Sequence, residues 1–557
     1  MKTKKHSTIG IAALACILLT IHVYGGDHQQ GQGSEGMPQL VRHGSVAQLY
    51  VDGKPFLILG GELNNSTSSS LEYMKPIWQQ VTDLNFNTVL TPLSWELIEP
   101  KEGQFNFSLV DGLIKEARQN KMHLVFLWLA SWKNGMSSYM PLWVKENENK
   151  YTRAKMKDRT TVEVLSTFSQ ANSDADAKAF SALMKHIRKF DVAKHTVLMI
   201  QIENEVGILG DSRDHSEIAD AAFTAPVPRE LIEYLVKNKE KLVPELKERW
   251  GKNGFKTNGN WEEIFGTGEQ CDEIFMAWNY ARYVQKVTAA GKKEYPLPMY
   301  ANAWLDQEGC PKPGSYPSGG PLAHLLDIWH AGAPVVDILA PDIYVPDYEE
   351  RCRKFTRCEN PLFIPEMNSS DEGARNIFLA IGQYNALGVS PFGIDMLGKM
   401  PFGPDQAKGP QETALSKSYA IIKQLSPLIL EKQAAGDIAG FVVDEKNPVI
   451  TYDMGGCKVE VSLDELFGRK SKMGYGIIMA DGPNKFIGAG CGFRVRFFSK
   501  TNNKETIGIG NVDEGVYHDG AWVPGRRLNG DENDQGRAWR FAFWKLSIEK
   551  CTVYKYE

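Results

Sequence analysis

From about residue 46 to 423, short apolar runs alternate with longer stretches of mixed polarity, a rhythm that predicts parallel strand–helix units. The predicted strands cover 56–60, 88–91, 123–129, 197–202, 298–303, 338–344, 361–365 and 389–394. Parallel strands buried on both faces read as continuous apolar runs, as LVFLWL and VLMIQI do. Eight of them predict an α/β chain built on a closed (β/α)8 TIM barrel over 45–425. A doubly wound open sheet would want a GxGxxG turn after its first strand, and LGGELNNS has Gly60 and Gly61 without that spacing. The segment 210–269, rich in Lys, Glu and Asp, interrupts the rhythm after the fourth strand and reads as an elaborated loop over the active face. Past Ala434 the period changes to two. In GFRVRFF, Phe493, Val495 and Phe497 share one face while Arg494 and Arg496 share the other, so a smaller β-rich, sandwich-like domain is predicted over 430–557.

The N-terminus places Lys2, Lys4 and Lys5 ahead of an apolar run over 9–23, followed by Gly25 and Gly26. That is the order of an export signal, so residues 1–25 are expected to be removed and the protein to be periplasmic. The run is shorter than the ~20 residues that span a bilayer. Lipid attachment at Cys16 is the alternative.

Composition narrows the partners. The 557 residues, 42% apolar and 24% charged, suit two folded domains, and 63 basic against 68 acidic residues leave no basic block to neutralise a phosphate backbone. Nucleic acid is excluded on that ground, and no stable protein partner is inferred. The cysteines beyond the signal, at 271, 310, 352, 358, 457, 491 and 551, lack the paired short spacings of a zinc site, so no metal is expected. Cys352 and Cys358 are close enough for a loop disulfide, with free buried thiols as the equal alternative. Neither GxSxG, HExxH nor a P-loop pattern occurs, which leaves serine hydrolase, metalloprotease and nucleotide hydrolase readings without a motif.

Two strand ends carry acid. VLMIQIENEVG runs from buried strand into Glu203, Asn204 and Glu205, and PLFIPEMN runs into Glu366. In a barrel the C-terminal strand ends converge on one mouth, so carboxylates from strands four and seven can face each other. Retaining glycoside hydrolysis needs such a pair: an acid to protonate the leaving oxygen and a carboxylate to attack the anomeric carbon. Strict alternation puts Gln201, Glu203 and Glu205 on one face, unless a bulge redirects the last of them. Glu203 is read as an ion-pairing or hydrogen-bonding residue of the barrel wall.

IQIENEVG and PLFIPEMN resemble the acid/base and nucleophile signatures of the clan A retaining glycoside hydrolases. Within that clan the run from Gly60 to Trp132 is similar to glycoside hydrolase family 35, the β-galactosidases, through Trp78, Asn87, Trp95, Glu99, Pro100, Gly103, Phe105 and Phe107. It departs from that family's pattern at Glu96 and at Ser131-Trp132. The β-rich tail resembles that of a bacterial subset directed at xyloglucan. The resemblance implies Glu205 as acid/base, Glu366 as nucleophile, no cofactor, and Asn204 on the sugar 2-OH. Tyr344 at the end of strand six is a candidate donor to Glu366. Glu62, Asn64, Glu96, Lys133, Asn134, Asn302 and Trp304 are weaker candidates to ring the sugar, and Trp132 and Trp304 to stack on its apolar face. Structural ion pairs explain Asp342 and Asp395 equally well.

The expected activity is that of an exported retaining exo-β-galactosidase, releasing terminal β-linked galactose from plant-type oligosaccharides such as xyloglucan side chains. The same chemistry on an α-L-arabinopyranoside is one alternative. A non-catalytic glycan-binding surface protein is the other.

Overall fold

The computed structural model describes residues 36–397, 413–466, 468–500 and 505–557. The expected signal over 1–25 and Cys16 lie outside the described residues.

Eight parallel strands close into a barrel. They are β1 (Ile58–Glu62), β2 (Thr88–Ser94), β3 (His123–Lys133), β4 (Val197–Asn204), β5 (Met299–Trp304), β6 (Ile338–Ile343), β7 (Ile364–Met367) and β8 (Gly388–Pro391). β8 pairs back onto β1 through Gly388 and Ile58, which removes both edges. The barrel interior is filled from the strand starts by Ile58, Leu90, Val125, Leu127, Leu198, Ile338 and Phe363. A three-stranded antiparallel sheet, Gln39–His43, Val46–Val51 and Lys54–Phe56, adds Leu49 and Val51 to that cluster. It closes the end of the barrel away from the strand C-termini.

The surrounding helices are amphipathic. α1 (Leu71–Asp83) starts at Ser70, whose side chain caps the Tyr73 amide, and buries Met74, Ile77, Trp78 and Val81. α2 (Gln170–Asp191), capped by Ser169, turns Phe180, Leu183, Met184 and Ile187 inward. α3 (Glu269–Glu294) crosses α2 at Gly291, where a Cβ would lie 2.1 Å from the Phe180 ring. Between β4 and α3 sit four short helices spanning 217–265, and their Leu231, Leu235, Trp250 and Trp261 join the barrel's outer core. Asp327 ties this segment down by accepting from Tyr234 Oη and the Val243 amide.

α4 (Asp371–Tyr384) precedes β8, and α5 (Ala414–Ala435) leads into a sandwich of a six-stranded and a four-stranded antiparallel sheet. Phe493, Val495 and Phe497 are buried in the sandwich core with Phe441, Val459, Val461 and Trp539, as the period-two pattern predicts. The six-stranded sheet's other face sends Ile477, Met479 and Ile487 into the barrel's outer core. Strand Ile438–Asp444 packs so tightly on α4 that a Cβ on Gly440 would lie 2.1 Å from the Phe378 carbonyl oxygen.

All seven cysteines among the described residues are free thiols, the second of the two alternatives for Cys352 and Cys358: Cys352 is buried and the Cys358 thiol is directed at Asp327. Among the described residues no helix is long and apolar enough to cross a membrane.

Candidate active site

β4 is buried throughout and its last residues leave the strand conformation. Glu203 and Glu205 both have left-handed backbone, with φ of 58° and 46°. Alternation is broken there, so the two glutamates do not share a face as period two would place them. Glu203 turns back into the wall, where it accepts the Trp132 amide at 2.7 Å and faces Asp176 of α2. Asp176 in turn accepts from Trp128 Nε1 and Ser131 Oγ. Burial raises the pKa of Glu203 well above the usual carboxylate range, and the charge of Asp176 adds to it. Of the two roles expected for Glu203, hydrogen bonding is the one present.

Asn204 and Glu205 face the mouth. Asn204 Nδ2 donates to Glu366 Oε1 at 3.1 Å, and its Oδ1 accepts from Lys133 Nζ at 2.8 Å. Tyr344 Oη donates to Glu366 Oε2 at 2.9 Å, the contact expected of it. The Glu205 amide donates to Asn302 Oδ1, and Asn302 Nδ2 to Asp342 Oδ2 at 2.7 Å. One oxygen each of Glu205, Asp342 and Glu366 lie within 4.8 Å of one another. Lys133 Nζ is 4.0 Å from Glu366 Oε1.

Lys133 reaches this cluster through a register break. β3 pairs Trp128 with Ile202 and Lys133 with Asn204, five steps on one strand against two on the other. The bulge carries Lys133 inward and Trp132 away.

Burial dominates the electrostatics. It pushes Glu205 up to about 8, with Glu366 adding to the rise and Lys133 opposing it. Glu62 is fully buried, neither of its carboxyl oxygens has a hydrogen-bond partner, and burial, then Glu366, raise its pKa well above the ordinary range. Asp342 rises for the same first reason, followed by the charges of Glu366 and Glu205. Burial and the neighbouring acids thus act in the same sense on Glu62, Glu205 and Asp342, favouring the neutral form of each.

The structure therefore gathers Glu205, Glu366, Asn204, Tyr344 and Glu62, together with Lys133 and Asn302. Asn64 is occupied elsewhere: its amide and side chain donate to Asp395, which also accepts from Thr67. Glu96 is half-buried near Tyr139, whose phenol also feels Lys133. Asn134, with φ of 52°, donates its amide to the Asn204 carbonyl and leaves a buried Oδ1 unpaired. Trp304 is half-buried at the end of β5 and pairs in register with Asp342. Trp132 is a correction. It is fully buried, donates to the Leu165 carbonyl and packs edge-on to Tyr280 and Tyr283 at 4.9 and 4.4 Å, so it belongs to the core and not to a sugar platform. Trp132→Ala should therefore act on folding, lowering stability by ~3–5 kcal/mol in an equilibrium urea titration. Asp342, for which a structural ion pair was an equal explanation, stands in this cluster; an aspartate near the end of the buried run ILAPDI was the available signal.

Residues 67–293 match the model of glycoside hydrolase family 42, described as β-galactosidase. That stretch is similar to the family 42 β-galactosidase domain, a clan A glycoside hydrolase type. The family expected from the sequence was 35, so what the two readings share is the clan and the β-galactosidase description. Residues 415–540 match a domain of unknown function, DUF5597. A β-galactosidase of Xanthomonas manihotis is 31% identical over 180 residues, covering 31% of this chain and 27% of its own length. The β-galactosidase LacZ of Lactobacillus acidophilus is 25% identical over 218 residues, covering 39% of this chain and 29% of its own. The matches thus span less than a third of either relative, at 27% and 29%. A β-galactosidase structure from Bacillus circulans sp. alkalophilus aligns with a TM-score of 0.46 and 13% identity over 68% of this chain and 57% of that chain.

Proposed function

We propose that the protein is an exported retaining exo-β-galactosidase that releases terminal β-linked galactose from plant-type oligosaccharides, xyloglucan side chains among them, by double displacement. The observation that carries this reading is the close approach, within 4.8 Å, of Glu205 and Glu366 oxygens. Retaining enzymes hold their carboxyl groups about 5–5.5 Å apart, whereas inverting enzymes leave about 6.5–9.5 Å for a water molecule. The environments of the two residues also differ in the sense required. Glu205 keeps its proton to about pH 8, while Glu366 receives two hydrogen bonds and faces an ammonium group.

In the first step a Glu366 oxygen bonds to the anomeric carbon as the glycosidic C–O bond breaks, and Glu205 gives its proton to the departing oxygen. In the second, Glu205 takes a proton from water, whose oxygen displaces Glu366 and restores the original configuration. Asn204 Nδ2 carries a second hydrogen beyond the one on Glu366, available to the sugar 2-OH. Galactose as the sugar is supported by the descriptions of the family model and of both curated relatives. Export rests on the charged-then-apolar order over residues 1–25.

The test is the initial rate on aryl β-D-galactoside, β-D-glucoside and α-L-arabinopyranoside, with the anomer of the first product followed by proton NMR. The expected result is fastest turnover of the galactoside with β-galactose appearing first. Activity confined to arabinopyranoside would replace the sugar and keep the chemistry; an α-anomer first would overturn double displacement.

A further inference from the structure

We propose that Lys133 is a positioning residue that selects Glu366 as the ionised carboxyl of the site and fixes which way the Asn204 amide points. The inference rests on the retaining mechanism proposed above. Four buried carboxyl groups share the mouth: Glu62 from β1, Glu205 from beyond β4, Asp342 from β6 and Glu366 from β7. Also facing this region are Glu96 after β2, Tyr139 after β3, Tyr300 of β5 and Tyr344 after β6. Lys133 is the cation whose charge acts on Glu62 and Glu205 alike. A buried carboxylate without a compensating charge is costly, so one ammonium group supports one ionised acid.

Geometry decides which acid that is. Lys133 Nζ lies 4.0 Å from Glu366 Oε1, and nearby opposite charge favours the charged form. An ammonium group has donors and no acceptor, so the Asn204 oxygen must face Lys133 and its NH2 must face Glu366, as observed. One lysine thus sets both the charge of the nucleophile and the donor directed at it. The β3 bulge that brings Lys133 beside Asn204 is the structural means.

The experiment is the pH dependence of covalent labelling of Glu366 by 2-deoxy-2-fluoro-β-D-galactosyl fluoride. Fluoride leaves without general-acid help, so the state of Glu205 drops out and the acid limb reports the nucleophile. Lys133→Met is expected to move that limb up by about one pH unit or more, and so to slow labelling about tenfold well below it. Lys133→Gln, which removes the charge and keeps an N–H donor, should show the same shift and serves if the Met variant does not fold. Lys133→Arg should keep the limb near its wild-type position. An unmoved limb in both neutral variants, with only weaker reagent binding, would make Lys133 a plain sugar contact and overturn the proposal. A wild-type protein that is neither labelled nor active on any glycoside would instead overturn the mechanism on which the proposal rests.

Discussion

Replacing Glu366 with glutamine is expected to lower kcat on an aryl β-D-galactoside by about 10⁴-fold or more while leaving sugar binding within a few-fold. The amide is nearly isosteric but neutral, and its oxygen is a far weaker nucleophile than a carboxylate oxygen, so formation of the bond to the anomeric carbon is what fails. The ground state should survive better, because much of what surrounds the sugar remains. One local conflict is built in. Asn204 Nδ2 and Tyr344 Oη both donate to Glu366, and the glutamine nitrogen cannot accept from either, so one of the two contacts is lost. Calorimetric binding of a non-hydrolysed galactoside separates this from unfolding. Asp342 supplies the competing assignment, since its carboxyl is in the same cluster within 4.8 Å. If Glu366→Gln retained more than about a hundredth of wild-type kcat and Asp342→Asn did not, the nucleophile would be Asp342.

The sequence placed Asp342 near a strand end without showing that it meets Glu205 and Glu366, and the reason is physical. A parallel strand buried on both sides announces itself as an apolar run, so all eight barrel strands were legible, but the run stops where polar residues begin and the strand does not. β3 continues to Lys133 and β4 to Asn204, each past its expected end at 129 and 202. Lys133 and Asn204, which bond each other beside Glu366, sit in those extensions. Two left-handed residues at the end of β4, each costing ~1–3 kcal/mol in strained backbone, send Glu203 into the wall and Glu205 into the mouth. Nothing in a period-two pattern encodes that choice. The same holds for the bulge that exchanges Trp132 for Lys133.

The residues that carried the family 35 resemblance mostly hold the scaffold. Trp78 Nε1 donates to Glu116 at 2.8 Å, Asn87 clasps the Leu57 carbonyl and the Leu59 amide, and Trp95 Nε1 donates to Glu99 at 2.9 Å. Trp78 ties α1 to the helix Ser108–Gln119, Asn87 fixes the starts of β1 and β2, and Trp95 lies just past the end of β2. Likeness through such residues reports a common barrel; the sugar depends on the strand-end side chains that vary around it. Glu99 shows the division well: it sits just beyond β2, yet both its carboxyl oxygens are taken, by Trp95 and by the Gly103 amide.

Glu205→Gln should divide substrates by their leaving group. On a natural disaccharide, whose departing alkoxide needs a proton, kcat/KM is expected to fall about 10²–10⁴-fold. On a 2,4-dinitrophenyl galactoside the first step should persist, and added azide should yield the β-galactosyl azide because no base is needed to activate it. The wild-type pH profile follows from the same residue. Glu205 must be protonated to act as acid, so kcat/KM on the disaccharide should decline as pH rises through about 8, and this limb should vanish in the variant. Burial and the charge of Glu366 are what hold Glu205 that high, in that order. Once Glu366 is esterified to the sugar its negative charge is gone, and with it one of the two causes. Glu205 then gives up its proton more readily, just when the second step needs a base. An equal loss on both substrates would mean that Glu205 serves the fold of the mouth rather than the proton, because a group that only shapes the site has no reason to distinguish an alkoxide from a dinitrophenolate.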